Sequence, residues 1–231
     1  MKFNKDSIIE GLIIPVFKPF NWTSFDVVKK MRYNFQKSFN LKKIKVGHTG
    51  TLDPLATGLL LICTGKKTKE IEKLQNLDKT YYATFYIGKT TPSFDRETEF
   101  NKLYPTNHID DKLIKEIVSS FIGEIKQQPP IYSALKVKGK RMYEMARKGQ
   151  YIKINYRKIN IYDFKLLNNN FPELDFKIKC SKGTYIRSLA NDFGKKLNSG
   201  AYLKYLERYS IGDYNIKDCM TLEQINKLLF N

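Results

Sequence analysis

The chain has 231 residues, enough for one large domain or two small ones, and carries 41 Lys and Arg against 23 Asp and Glu, a net charge of +18. We read one domain over 1–231, and the charge points to a polyanionic partner. The basic residues are spread along the chain rather than gathered into an amphipathic helix or a tail, which favours nucleic acid over an anionic membrane surface. No apolar run approaches the ~20 residues needed to span a bilayer, and the start, Met1 to Asp6, lacks an apolar stretch followed by a small-residue cleavage site. A cytosolic protein is therefore expected. Cys63, Cys180 and Cys219 are odd in number and far apart, and His48 and His108 are the only histidines. A zinc site and a disulfide framework are thereby disfavoured, and three reduced, mostly buried thiols are expected.

Phe25, Val28, Met31 and Phe35 recur at helical spacing behind Ser24, a good N-cap, so a helix is expected from about 24 to 38. Leu59 to Cys63 is a short apolar run that periodicity alone cannot assign. From Tyr81 to Ile87 alternate residues are apolar, which reads as a strand with Tyr81, Ala83, Phe85 and Ile87 on one face. Leu113, Ile114, Ile117, Val118 and Phe121 signal a helix ending near Gly123. Residues 151–167 and 173–180 read as strands, with Leu174, Phe176, Ile178 and Cys180 facing the core and Asn168 to Asn170 supplying the turn before Phe171 and Pro172. Ile186, Leu189, Ala190, Phe193 and Leu197 form a helical stripe, and Thr221 with Gln224 reads as the capping box of a last helix. Helices mixed with hairpin-connected strands indicate an α+β fold.

Gly47 to Gly58 places one carboxylate, Asp53, among three glycines and Pro54. Glycine permits positive φ and close backbone approach, while Pro54 pushes Asp53 out of the helical region. An Asp-Pro pair alone is ordinary turn chemistry. The whole string, Gly47-His48-Thr49-Gly50-Thr51-Leu52-Asp53-Pro54-Leu55-Ala56-Thr57-Gly58, resembles the catalytic signature of the TruB family of tRNA pseudouridine synthases. Further blocks follow the family order: Lys18-Pro19 upstream, then Asp78-Lys79-Thr80-Tyr81, Thr90 to Asp95, Gln128 to Lys136, Cys180 to Leu189, and Tyr205-Leu206. Val16-Phe17 departs from the more usual acidic lead-in to the Lys-Pro segment. Together these blocks cover nearly the whole chain.

The resemblance implies a central, mostly antiparallel sheet flanked by helices with a catalytic cleft, and conversion of uridine 55 in the tRNA T-arm to pseudouridine. That reaction breaks the N1–C1′ bond, turns the base and rejoins it through C5. No atoms leave, so no cofactor is needed, and the target base must flip into a pocket. Ionised Asp53 would act as nucleophile or as the base that generates a glycal. A buried carboxylate needs a permanent cation to stay charged, and Arg187 matches the family arginine that pairs with it. Tyr81 matches the tyrosine that stacks on the base, Asp95 the aspartate that holds the arginine, Leu206 a pocket wall, and His48 the histidine that fills the space left by the flipped base. Tyr185, in the same block as Arg187, is expected to touch substrate.

The segment 127–149 interleaves Lys136, Lys140 and Arg141 with Tyr132, Tyr143 and two methionines, a composition suited to gripping RNA, although an exposed helical hairpin with solvated charges has the same composition. Gly58 to Thr68 faintly suggests a phosphate-binding loop, but six residues separate its glycines where a Walker A loop has four. A noncatalytic RNA-binding protein also fits the charge, and the Asp53, Tyr81 and Arg187 set argues against it. The expected protein is a monomer without an obligate protein partner, acting on tRNA and not on a membrane, and lacking the C-terminal PUA-type domain of longer relatives.

Overall fold

In the computed structural model, residues 3–133, 135–137, 139–149 and 154–230 are described, apart from the side chains at 136, 137, 140, 141, 143 and 147. Two compact units emerge, residues 1–81 with 206–231, and residues 82–205.

In the first unit the strand Thr57–Thr64 organises its neighbours. Ile13–Lys18 runs antiparallel to it, with Ile13 opposite Cys63 and Lys18 opposite Gly58. Val46–His48 also pairs antiparallel, with His48 opposite Ile62, while Glu207 and Arg208 pair in parallel with Thr57 and Gly58. Leu60 and Ile62 pack with Val27, Val28, Met31 and Phe35 of the helix Ser24–Ser38. Leu59 and Leu61 pack on the opposite side with Ile211. A strand covered on both faces has no polar face, which is why the apolar run shows no alternation.

The helix Ser24–Ser38 has the expected span, but its cap is Thr23. Thr23 Oγ1 accepts from Asp26 N at 3.0 Å and the Asp26 carboxylate accepts from Thr23 N at 3.1 Å, a reciprocal box that satisfies two otherwise orphaned donors. Ser24 is thereby released for other bonds. Phe25, expected on the buried stripe, is 52% exposed; Val27, Val28, Met31 and Phe35 define the inward face, and position 25 falls outside it. The last helix, Leu222–Phe230, is capped as expected by Thr221 and Gln224.

In the second unit Arg157–Asn170 pairs antiparallel with both Gly123–Gln127 and Glu173–Cys180. Phe85, Phe164, Phe176 and Phe193 form one ring cluster with centroid separations of 4.8–6.2 Å, each burial stabilising by roughly 2–3 kcal/mol. The alternation expected from Tyr81 to Ile87 and from Leu174 to Cys180 holds, since the inward residues are all buried. Asn168 to Asn170 do not form the turn. They continue the strand to Asn170 opposite Glu173, and Phe171 and Pro172 make the turn. The amides of Asn168 and Asn169 reach Asp175 and Asp111 instead of closing on their own backbone. The helix Asp111–Ser119 is capped by Asp110, and Gly123 opens the following strand. Both units mix helices with mainly antiparallel strands, the α+β class expected.

Within 127–149 lie two short paired strands, Lys136–Val137 and Lys140–Arg141, and the helix Met142–Arg147. Met142 is buried, so this segment is better anchored than its composition implies. Of the strand expected over 151–167, residues 151–153 lie outside the described residues and 154–156 are irregular; the strand begins at Arg157.

Candidate active site

Asp53 sits in the loop between Val46–His48 and Thr57–Thr64. Its carbonyl accepts from Ala56 N at 3.0 Å, a turn with Pro54 at the second position, so the turn chemistry is what presents the carboxylate. Both flanks of Asp53 are fastened. The buried Ser24 hydroxyl accepts from Leu52 N at 2.8 Å and donates to Leu52 O at 3.2 Å. On the other flank Pro54 O accepts from Asn21 N at 3.0 Å and from Lys18 Nζ at 3.3 Å.

Lys18 is fully buried and gives its other bonds to Pro19 O at 2.8 Å and Trp22 O at 2.6 Å, so its three protons meet three carbonyls. Burial pulls its pKa down to about 8; the Asp53 charge opposes that shift, and Arg208 adds to it.

Arg208 was not singled out in the sequence. It lies two residues beyond Leu206 on the strand Ala201–Ile211 and is almost completely buried. Its Nε donates to Leu59 O at 2.8 Å and its Nη2 to Gly50 O at 3.1 Å. Burial lowers its pKa, and the Tyr81 side chain, hydrogen-bonded to it, opposes that shift together with Asp53. Gly58 makes room for this arginine: a Cβ there, at φ +107, would lie 2.4 Å from Arg208 O. A Cβ on Gly50, at φ +133, would sit in ordinary contact 3.7 Å from Nη1, so that position needs glycine for its backbone conformation. The sequence signal for Arg208 was therefore indirect: the glycine at position 58.

His48 Nδ1 accepts from Gly50 N at 3.3 Å, which places the proton of the neutral ring on Nε2. Burial first, and the Arg208 charge second, hold its pKa below the ordinary histidine value. Leu206 is buried. Within the first unit, Asp53, Tyr81, Lys18, His48 and Arg208 thus share one electrostatic neighbourhood.

Arg187, Asp95 and Tyr185 belong to the second unit. Arg187, buried in the first turn of Ile186–Lys196, donates from Nη1 to Ser93 O at 3.1 Å and stands with Nε 3.6 Å from Asp95 Oδ2. Asp95 is buried and also accepts from Glu97 N at 2.9 Å, while its carbonyl accepts from Thr91 Oγ1 at 2.6 Å. The Thr91 to Asp95 segment is thus folded against the guanidinium. Tyr185 is clipped by Gln127, whose Oε1 accepts from Tyr185 N at 2.8 Å and whose Nε2 donates to Tyr185 O at 3.1 Å. Its ring lies 5.3 Å from the Arg157 guanidinium. Lys136, Lys140 and Arg141 fall on the two short strands, and their side chains lie outside the described residues.

None of the three cysteines is in a disulfide, with Cys63 and Cys180 buried and Cys219 half-buried. Burial pushes Cys63 up to about 11 and Cys219 up to about 12, which removes both as thiolate nucleophiles at neutral pH. Among the described residues no helix is long and apolar enough to cross a membrane, and no three His, Cys, Asp or Glu side chains group as metal ligands.

A family model for the N-terminal domain of TruB family pseudouridylate synthase matches residues 36–186. The chain is 53% identical over 218 residues to the tRNA pseudouridine synthase B of Flavobacterium johnsoniae, covering 94% of this chain and 95% of that protein. It is 50% identical over 220 residues to the protein of the same name from Phocaeicola vulgatus, covering 95% and 94%. Among solved structures, a chain of a Cbf5–Nop10–Gar1 complex matches with a TM-score of 0.70 at 26% identity, over 95% of this chain and 54% of that one. This chain thus spans about half of that neighbour. A chain of the archaeal box H/ACA Nop10–Cbf5 complex shares the fold, with a TM-score of 0.67 at 23% identity over 95% of this chain and 54% of that one. With a family model matching well over half of its residues and relatives about half identical along nearly all of it, the chain belongs to the TruB family of pseudouridylate synthases.

Proposed function

We propose that this protein isomerises uridine 55 in the T-arm of tRNA to pseudouridine, with Asp53 as the reacting carboxylate and the uridine flipped out of the T-loop. The observation that carries this reading is the loop itself: Asp53 lies between two residues, Leu52 and Pro54, that are each tied to neighbouring chain. Two buried cations, Lys18 and Arg208, respond electrostatically to its charge. Cations held in place beforehand stabilise negative charge beside them without reorganising during the reaction.

The steps balance internally. Asp53 adds to the sugar or base, or removes the C2′ proton to give a glycal; the N1–C1′ bond breaks, the base turns, and a C5–C1′ bond forms, with the Asp53 adduct released or the C2′ proton returned. The C5 proton is lost and N1 gains one. Tyr81 stacks on the base, its phenol oriented by the hydrogen bond with Arg208. Arg187, steadied by Asp95 and Ser93 O, supplies a planar cationic fork. Neutral His48 fills the space the uridine leaves, and Leu206 walls the pocket. Tyr185, Lys136, Lys140 and Arg141 hold RNA, the last three from the 127–149 segment. The protein acts as a monomeric single catalytic domain in the cytoplasm, with no cofactor.

The test is to incubate unmodified tRNA with purified protein and map pseudouridine at single-nucleotide resolution. A single new pseudouridine at position 55 is expected. No pseudouridine anywhere in the tRNA, or modification only elsewhere, would overturn the reading.

A further inference from the structure

The proposed reaction leaves the outer face of the Ser24–Ser38 helix unused. Phe25, Lys29, Tyr33 and Lys37 follow one another at four-residue spacing, which stacks them along one side of the helix. Phe25 and Tyr33 are exposed despite their size. The Lys29 ammonium stands 4.9 Å from the Phe25 ring centre, and Lys37 stands 5.8 Å from that of Phe230 on the last helix. Between the two helices lies a cleft of about 330 Å³ lined by Lys30, Lys37 and Lys227 with Tyr33 and Phe230, and no carboxylate is among its lining residues. Its walls are fixed across the helices. Asn34 Nδ2, from a buried residue, donates to Asn226 Oδ1 at 2.5 Å, and Ser38 Oγ donates to Leu229 O at 2.7 Å.

We propose that this cleft is a second RNA-binding site, in which the three lysines take consecutive backbone phosphates of tRNA and the exposed Tyr33 ring offers a face to an unpaired base. Three ammonium groups around one cleft without an acid repel one another, and an anion of several charges relieves all three where a single small anion would not. Lysines interleaved with aromatic rings suit a single-stranded polyanion gripped without regard to sequence. The position along the helix separates this site from the reacting uridine. With a rise of ~1.5 Å per residue, Lys30 to Lys37 lie about 9 to 20 Å along the axis from Ser24, whose hydroxyl holds Leu52 beside Asp53. The site therefore grips backbone away from the reacting nucleotide.

This inference rests on the proposed tRNA substrate, and the experiment separates the two. Wild-type protein is first assayed for pseudouridine in tRNA; inactivity there strikes the function and not the cleft. Binding of whole tRNA is then measured across a salt series for wild type, for a Lys30→Ala, Lys37→Ala, Lys227→Ala variant, and for the matching triple Lys→Arg variant, with inorganic phosphate and a mononucleotide as competitors. In the alanine variant the Kd at roughly 100 mM salt should rise about tenfold or more, and the slope of log K against log salt should shrink by roughly two, as expected for three lost single-strand phosphate contacts. The arginine variant should keep both, and single-turnover rates at saturating tRNA should stay within twofold of wild type. A Kd and slope unchanged in the alanine variant would overturn the proposal, as would a lowered saturating rate with an unchanged slope. Binding of the mononucleotide that the alanine variant loses while keeping its tRNA affinity would make this a small-molecule site and would also overturn it.

Discussion

Arg208 donates from Nη2 to the carbonyl oxygen of Gly50 across 3.1 Å, and its Nε reaches Leu59 O at 2.8 Å. One buried guanidinium thus clamps both ends of the loop that carries Asp53. A lysine keeps the charge but not the fork. Arg208→Lys should cost about 2 kcal/mol or more of stability, since bonds to a charged group contribute roughly 1.5–3 kcal/mol each. Single-turnover pseudouridine formation should also fall at least tenfold in the fraction that stays folded. Urea unfolding together with rapid-quench kinetics checks both; wild-type values in both would remove Arg208 from the site.

Gly58 and Gly123 share positive φ, +107 and +103, but not surroundings. A methyl group on Gly58 would strike the Arg208 backbone at 2.4 Å, whereas nothing lies within 4 Å of one on Gly123. Gly58→Ala should therefore destabilise by at least ~3 kcal/mol, through strain and overpacking together, and Gly123→Ala by strain alone, ~1–2 kcal/mol. Urea midpoints of the two variants should rank in that order. The reverse ranking would contradict the packing described.

Arg187 shares its buried pocket with Asp95 and Ser93 O. Replacing the fork by a point charge, as in Arg187→Lys, should lower the single-turnover rate at least ~100-fold, about 3 kcal/mol, while tRNA binding stays within a few-fold. Near-normal single-turnover rates would show that Arg187 is structural.

His48 supplies a pH signature. Its folded pKa lies below the ordinary histidine value of about 6.5, so the unfolded chain takes up the proton first as pH falls. The stability His48 contributes is present above pH ~6.5 and is lost progressively as pH drops through its folded pKa. His48→Gln should therefore lose less stability than wild type between pH 7 and 5.5. Urea midpoints at the two values test this, and parallel losses would refute it.

The parts of this account legible in the sequence are those governed by local pattern. Alternation marked the inward faces from Tyr81 to Ile87 and from Leu174 to Cys180, and the Thr221 and Gln224 pair marked the last helix. Leu59 to Cys63 resisted assignment because two cores cover the strand, which erases the alternation. Ser24 drew notice as a cap, whereas Thr23 does that work and Ser24 holds Leu52; adjacent hydroxyls differ only through tertiary context. Asp53 stood out because glycines and a proline surround it. Arg208 did not, because a buried arginine in a strand looks like any surface arginine until the carbonyls it meets, on Gly50 and Leu59, are brought to it by the fold.

The central claim is that Asp53 reacts as a carboxylate, and the most direct test is single-turnover pseudouridine formation at position 55 by Asp53→Asn at saturating tRNA. The substitution keeps size and shape and removes the charge. The rate should fall by at least ~10³, about 4 kcal/mol of transition-state stabilisation, with tRNA affinity within threefold of wild type. An Asp53→Asn protein that modifies uridine 55 within tenfold of the wild-type rate would contradict the claim.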